Sequence, residues 1–429
     1  MDGDVPLDWR IEALLERRQL PIGMEVAHRV VAERTGATLA DTEAAIRVLA
    51  ASGQAASDGH RVIFQIPLTR STTMERSSAP GDCSTGNPDP NLLLDWPVSA
   101  GADPRERLYG EPRQFGEFVE LGRRYHTEIG VGPGPTTVTS GAIDAIERLL
   151  SVCAGPGDAI AVENPTYPND KGISAALGLR LLPVLVDHDG PVIDSVAEAL
   201  ARGTRVLLLR PRGQNPTGSR TSPQRAERLR ALLARHPGVL VVEDDHLPWV
   251  DQARYATATT DRHRWAVITS LSKVLGPDIR LAWLSCDDAT ARRVEGRRLL
   301  GSGWVSRSLQ VTAHAALTAP TAKERLAAAA DTYATRRLRL TSLLRDAGYD
   351  VTIASGFNAW IPVRDESTLV ERLADAGWIV APGRRYWLEP GPAGIRVTFA
   401  HLPEASLRAF VAALAAADQP TAAVPSKKP

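Results

Sequence analysis

Residues 265–280 read WAVITSLSKVLGPDIR. An apolar run of strand length gives way to Ser270-Leu271-Ser272, a single lysine follows at Lys273, and Arg280 stands seven positions further on. In an α/β layer, the carboxyl end of a buried strand is where ligands sit. A lysine acting there as a Schiff-base nucleophile must be partly neutral near pH 7, which takes desolvation or a cationic neighbour to lower its ordinary value of about 10.4. Ser270, Ser272 and Arg280 put two hydroxyls and a guanidinium near the same strand end, a set suited to a phosphate dianion. Taken alone, a lysine after a strand is far more readily surface decoration, so its neighbours must decide.

Outward from this stretch, AIAVE (159–163), RVLLLR (205–210) and VLVVEDD (239–245) are further strand-length apolar runs, separated by helical stretches such as PQRAERLRALLARH. The alternation predicts an α/β large domain over 99–310 with a mainly parallel sheet. Residues 311–418 run long helix, strand, helix, strand, helix, a smaller C-terminal α+β domain, and 419–429 form a tail. The first 70 residues read as three helices and a hairpin turning at Asp58-Gly59, the order of a winged helix. GMEVAHRVVAERTG is the second of those helices, and 71–98 is a linker and lead-in segment rich in Ser, Thr, Pro and Gly.

Three more stretches carry chemistry. In TSGAIDAIERLL, Ser140 and Gly141 precede an amphipathic helix whose free N–H groups and dipole favour an anion, although a plain N-cap reads the same way. VLVVEDD ends in acids, where a carboxylate would pair with a protonated pyridine nitrogen. GQNPTGS offers the amide of Asn215 ahead of a proline-fixed turn, or is simply a loop.

The chain has 429 residues, 43% hydrophobic and 23% charged, with 50 basic and 50 acidic side chains. That balance excludes disorder as the general state and advertises no nucleic-acid partner. No apolar run approaches the roughly 20 residues of a membrane span, and the acidic start lacks the basic head of a signal peptide, so the expectation is cytoplasmic. Cys83, Cys153 and Cys286 are isolated, without metal-ligand spacing, and receive no role.

SLSKVLGPDIR, NPTG, EDD and TSGA in their relative positions closely resemble the fold-type I pyridoxal-phosphate enzymes of the aminotransferase class I/II family, over about residues 85–415. The resemblance implies pyridoxal 5'-phosphate as cofactor. Lys273 would hold it as a Schiff base and move the proton at Cα, Asp244 would pair with the pyridine nitrogen, and Asn215 would hydrogen-bond the ring oxygen. Ser140, Gly141, Ala142, Ser270, Ser272 and Arg280 would hold the phosphate. Tyr167 matches the aromatic residue that stacks on the ring and Arg396 the arginine that binds a substrate carboxylate. Tyr109 matches the tyrosine reaching the phosphate of a neighbouring subunit, which implies a homodimer with shared sites. The winged-helix-like front resembles the MocR branch of the GntR regulators.

Several positions depart from these patterns. His246 replaces the tyrosine usual after the aspartate; it is a substituted donor to the ring oxygen or a proton carrier. Gln114 and Phe118-Val119 depart from the usual residues near the site mouth. In TLADTEAAIRVL, Leu39 replaces an arginine and Asp41 and Glu43 stand beside it, so DNA binding is not expected of the module. Transamination of an amino acid is the leading reading. β-Elimination at a carbon–sulfur bond, decarboxylation coupled to oxidative deamination of an S-conjugated amino acid in specialised metabolism, and a transcription regulator are the alternatives.

Overall fold

A computed structural model describes residues 7–16, 19–21, 25–51, 55–64, 81–97, 108–389 and 391–419; residues 71–80 and 98 of the linker and lead-in segment and 420–429 of the tail lie outside them. The apolar runs named above become the strands Ala159–Asn164, Thr204–Leu209, Leu240–Asp245 and Trp265–Ser270. Nearly every residue in them is buried. Burial on both faces is what continuous Val/Ile/Leu runs require, and helices on both sides of a parallel sheet supply it.

The eight-stranded sheet has the order Thr136–Thr139, Ala282–Cys286, Trp265–Ser270, Leu240–Asp245, Thr204–Leu209, Ala159–Asn164, Arg180–Asp187, Gly190–Pro191. Neighbours from Trp265–Ser270 through Arg180–Asp187 pair in parallel. Ala282–Cys286 is antiparallel to both of its neighbours. Sequence periodicity alone missed Thr136–Thr139, Arg180–Asp187 and Ala282–Cys286, which carry threonine, proline or tryptophan among their apolar residues.

Register fixes what the strand ends present. Asp244 pairs with Ile268 and Asp245 with Thr269, so Asp244-Asp245-His246 and Ser270 to Lys273 emerge side by side. On the other flank Glu243 pairs with Leu209, which sets Arg210 beside Asp244.

The C-terminal part comprises the helices Ala322–Asp346, Glu366–Asp375 and Glu404–Ala417 and a three-stranded sheet in the order Asn358–Pro362, Gly394–Thr398, Ala381–Pro382. Residues 81–97, expected within the linker and lead-in segment, are built into this unit. Gly81–Asp82 pairs in parallel with Trp378–Ile379. The Cys83 N–H donates to the Ile379 carbonyl and the Thr398 N–H to the Cys83 carbonyl, each at 2.8 Å, and the Leu94 N–H donates to the Val274 carbonyl at 2.9 Å. The segment thus bridges the small sheet and the lysine-bearing helix Ser272–Leu275.

At the front, the helices Leu7–Glu16, His28–Thr35 and Leu39–Ala51 pack over a small core including Ile11, Ile46 and Phe64. Ala55–Ser57 and Arg61–Phe64 form the expected hairpin. One expectation is corrected: GMEVAHRVVAERTG is not helical throughout, because Glu25–Ala27 is a strand antiparallel to Arg61–Phe64 and the helix begins at His28. Buried Val26, opposite Val62, is worth more to that sheet than to one more helical turn.

The divergent residues near the mouth turn out to be packing residues. Phe118, on helix Gly116–Glu128, is fully buried with its ring 5.1 Å from that of Trp283. Gln114 Oε1 accepts from the Val138 N–H at 3.0 Å. Gly122 lets this helix lie against the sheet, since a Cβ there would stand 2.5 Å from Trp283 Cγ. Gly122→Ala is therefore expected to cost about 1–3 kcal/mol through overpacking, seen as a lower urea midpoint, whereas Gly116→Ala, with open space around it, should not lower the midpoint.

Candidate active site

Lys273 sits in the short helix Ser272–Leu275, immediately after a strand, and its Nζ donates to the Gly86 carbonyl at 2.7 Å. The ammonium also lies 5.8 Å from the centre of the Phe357 ring. Burial lowers its pKa to about 8, helped by the cations Arg396 and Arg280. Both devices named by the sequence, desolvation and a cationic neighbour, thus act on the one amine.

Arg396 lies in the central strand of the small sheet, buried. Its Nη2 donates to the Ser84 carbonyl and Nη1 to Asn215 Oδ1, the latter at 3.4 Å. Its guanidinium stands 5.4 Å from the Tyr386 ring centre. Nε has no hydrogen-bond partner, and among the described residues no carboxylate pairs with this arginine. A buried guanidinium without a counter-charge is costly unless an anion arrives.

Asp244 is fully buried at its strand end. Oδ2 stands 3.4 Å from Arg210 Nε, while Oδ1 is buried with no partner among the described residues. Burial raises the Asp244 pKa to about 6, opposed by Arg210. His246 follows two residues on and makes no hydrogen bond among the described residues. Burial, then Lys273 and Arg210, lower its pKa to about 3, so the imidazole is neutral near pH 7. That state suits an uncharged donor or acceptor better than a cationic proton carrier. Tyr167 stands just before helix Pro168–Ala176, with its hydroxyl pKa raised by burial and in the field of Arg396.

The anion cradle combines two elements. Ser270 and Ser272 are buried, their hydroxyls 3.4 Å apart, and Arg280 Nη1 lies 3.4 Å from Ser272 Oγ. Across from them Gly141, at φ 88°, begins helix Ala142–Cys153. A Cβ on Gly141 would fall 2.5 Å from Arg280 Nη2, so only glycine leaves the helix start open beside that guanidinium. The Ser140 N–H is already committed to Asp144 Oδ2 at 2.9 Å.

The structure brings Lys273, Arg280, Asn215, Arg396, Tyr167, Asp244 and His246 into one connected region. Tyr109 is not among them: it is 94% exposed, edge-on to Trp304. Sequence reading missed Gly86 and Arg210. The backbone carbonyl of Gly86 leaves no sequence signal, whereas the Arg-Pro-Arg run directly after a buried strand was a signal available for Arg210.

The orphaned Asp244 oxygen, the glycine cradle beside Arg280 and the lysine of lowered pKa fit a phosphorylated pyridine aldehyde. The fold and site define a protein of the pyridoxal-phosphate fold-type I class. Residues 86–414 match Aminotransferase class I and II, and the chain belongs to that family. It is similar to the vitamin B6 salvage pathway transcriptional repressor PtsJ of Salmonella typhimurium, 36% identical over 77% of this chain and 78% of that protein. It also resembles the 2-aminoadipate transaminase of Thermus thermophilus, 32% identical over 36% of this chain and 41% of that enzyme. Among solved structures, LysN, the α-aminoadipate aminotransferase of Thermus thermophilus, superposes with a TM-score of 0.72 at 22% identity, covering 82% of this chain and 95% of that one. Likeness to such regulators supports the MocR branch.

With the cofactor removed, acetylation of Lys273 followed by peptide mass spectrometry is expected to show a midpoint near pH 8. Arg396→Met removes a like charge and should move that midpoint upward. A parent midpoint at the ordinary lysine value would contradict the electrostatics described above.

Proposed function

We propose that the chain is a pyridoxal 5'-phosphate enzyme acting at Cα of an amino acid, most simply an aminotransferase. The cofactor supplies an electron sink for the Cα bond that breaks. The observation that carries the reading is Arg396, a buried guanidinium without a carboxylate partner among the described residues and in the field of Lys273 and Tyr167. A bidentate pair with the substrate α-carboxylate would satisfy it and fix the amino acid beside the lysine.

The other residues take roles by position. Lys273 Nζ, with its pKa lowered to about 8 and so partly neutral near pH 7, would hold the cofactor covalently and carry the proton at the substrate Cα. The Gly86 carbonyl holds that amine in place. Asp244 Oδ1 would accept from the protonated ring nitrogen, Asn215 and neutral His246 would serve the ring oxygen, and Tyr167 would stack on the ring. Ser140, Gly141, Ala142, Ser270, Ser272 and Arg280 would hold the phosphate. Exposed Leu108 and Tyr109 beside Trp304 make an apolar patch that suits a homodimer in which Tyr109 reaches the neighbouring site.

Lys273→Ala is expected to abolish the visible absorbance of lysine-bound cofactor. Arg396→Ala should raise KM at least about tenfold for substrates with an α-carboxylate, with a smaller effect on kcat; an unchanged KM would place the carboxylate elsewhere. Product analysis by mass spectrometry separates the chemistries. A ketoacid with pyridoxamine phosphate supports transfer. Pyruvate, ammonia and a thiol support carbon–sulfur elimination, and carbon dioxide supports decarboxylation with oxidative deamination.

A transcription regulator is the second reading. It is favoured by the helical N-terminal module and by the likeness to a repressor over three quarters of the chain. The expectation that this module does not bind DNA finds no support in that likeness, although Leu39 and Asp41 are exposed where a basic recognition face would lie. A gel shift with the chain's own upstream DNA decides: tight, sequence-specific retardation puts the regulator first, and none at low salt leaves the enzyme.

A further inference from the structure

Arg210 follows the strand Thr204–Leu209 and is 2% exposed. Its guanidinium is shared between two buried carboxylates. Nη1 and Nη2 donate to Asp170 Oδ2 and Oδ1 at 2.8 and 2.9 Å, and Nε faces Asp244 Oδ2 at 3.4 Å. Its backbone N–H donates to Glu163 Oε1 at 3.2 Å. Every guanidinium nitrogen is therefore engaged, and Asp170 holds the fork flat and fixed. Asp244 is left with one oxygen occupied and one, Oδ1, buried and without a partner among the described residues.

We propose that Arg210 is a positioning residue that acts on the cofactor through Asp244, presenting one ionised oxygen to the ring nitrogen. This rests on the reading of Asp244 as the ring-nitrogen partner. Two physical effects combine. The contact at Oδ2 selects the carboxylate rotamer that aims Oδ1 away from Arg210. The guanidinium also offsets the desolvation that drives Asp244 toward its neutral form, and does so against the like charges of Asp170 and Asp245, which push the same way as burial. A neutral Asp244 could not hold a protonated pyridine nitrogen as an ion pair. Without Arg210, two carboxylates would share a water-free space with no cation between them, and Asp244 would take up a proton.

A merely structural arginine would tie helix Pro168–Ala176 to the sheet through Asp170 and nothing more. The two roles separate when the ligand either has or lacks the ring nitrogen. The full-length chain, stripped of cofactor, is titrated by calorimetry with pyridoxal 5'-phosphate and with its analogue carrying C–H in place of that nitrogen. The parent should favour the natural cofactor. Arg210→Gln should cut the affinity ratio by about tenfold, with the analogue's own affinity changing less than about twofold. Arg210→Lys, which keeps the charge but not the fork, should shift the ratio the same way by about threefold, and this variant decides if Arg210→Gln fails to fold. Asp244→Asn should bring the ratio near one. An unchanged ratio in the Arg210 variants, or equal loss for both ligands, overturns the proposal. If Asp244→Asn also leaves the ratio unmoved, the ring-nitrogen reading of Asp244 fails with it; if Asp244→Asn collapses the ratio alone, only the role of Arg210 falls.

Discussion

Two neighbouring parallel strands in register, Leu240–Asp245 and Trp265–Ser270, hold the rest of the site in place. Because Asp245 pairs with Thr269, a carboxylate, an imidazole and a lysine leave the sheet together. The central strands are buried on both faces, so those groups emerge where solvent does little to dampen their interactions, and charge among them is settled by a few named contacts. The lysine loses its proton more easily, the histidine stays neutral and the aspartate is held charged only with help. A one-residue slip in that pairing would send alternate side chains to the opposite face of the sheet.

Much of this was legible in the sequence. The apolar runs gave the central parallel strands, and residue type with strand-end position sufficed to group Ser270, Ser272, Lys273 and Arg280. Strands with mixed composition, such as Thr136–Thr139 and Ala282–Cys286, were not legible, since their burial comes from neighbours distant in sequence. Gly86 was silent because it acts through a carbonyl, a group every residue carries. Phe118 and Gln114 looked like changes at the site mouth, yet they serve the packing around Trp283 and Val138. Sequence position says that a residue differs from a pattern, whereas only the surrounding atoms say which task the difference serves.

The polar groups divide into closed and open sets. Asp245 is closed: Arg212 and Tyr125 saturate both of its oxygens, and His126 is likewise satisfied by Ser285 and Thr269. Asp244 Oδ1 and Arg396 Nε are open, and they bear opposite charge. Adjacent acids on one strand thus have different fates, one serving the scaffold and one facing the site. The open groups mark where binding energy is to be gained, because each is already desolvated before a ligand arrives.

The lead-in segment sets where the chain can be cut. Gly81–Asp82 completes a strand pair with Trp378–Ile379, Cys83 is stitched to the small sheet, and Gly86 receives the lysine amine. A protein trimmed to the start of the first long helix, at Gly116, would keep Lys273 and Arg396 but lose the carbonyls that hold both side chains. Severing the front module to ask what it does therefore calls for a break ahead of Gly81, so that the lysine-bearing half keeps its own stitching.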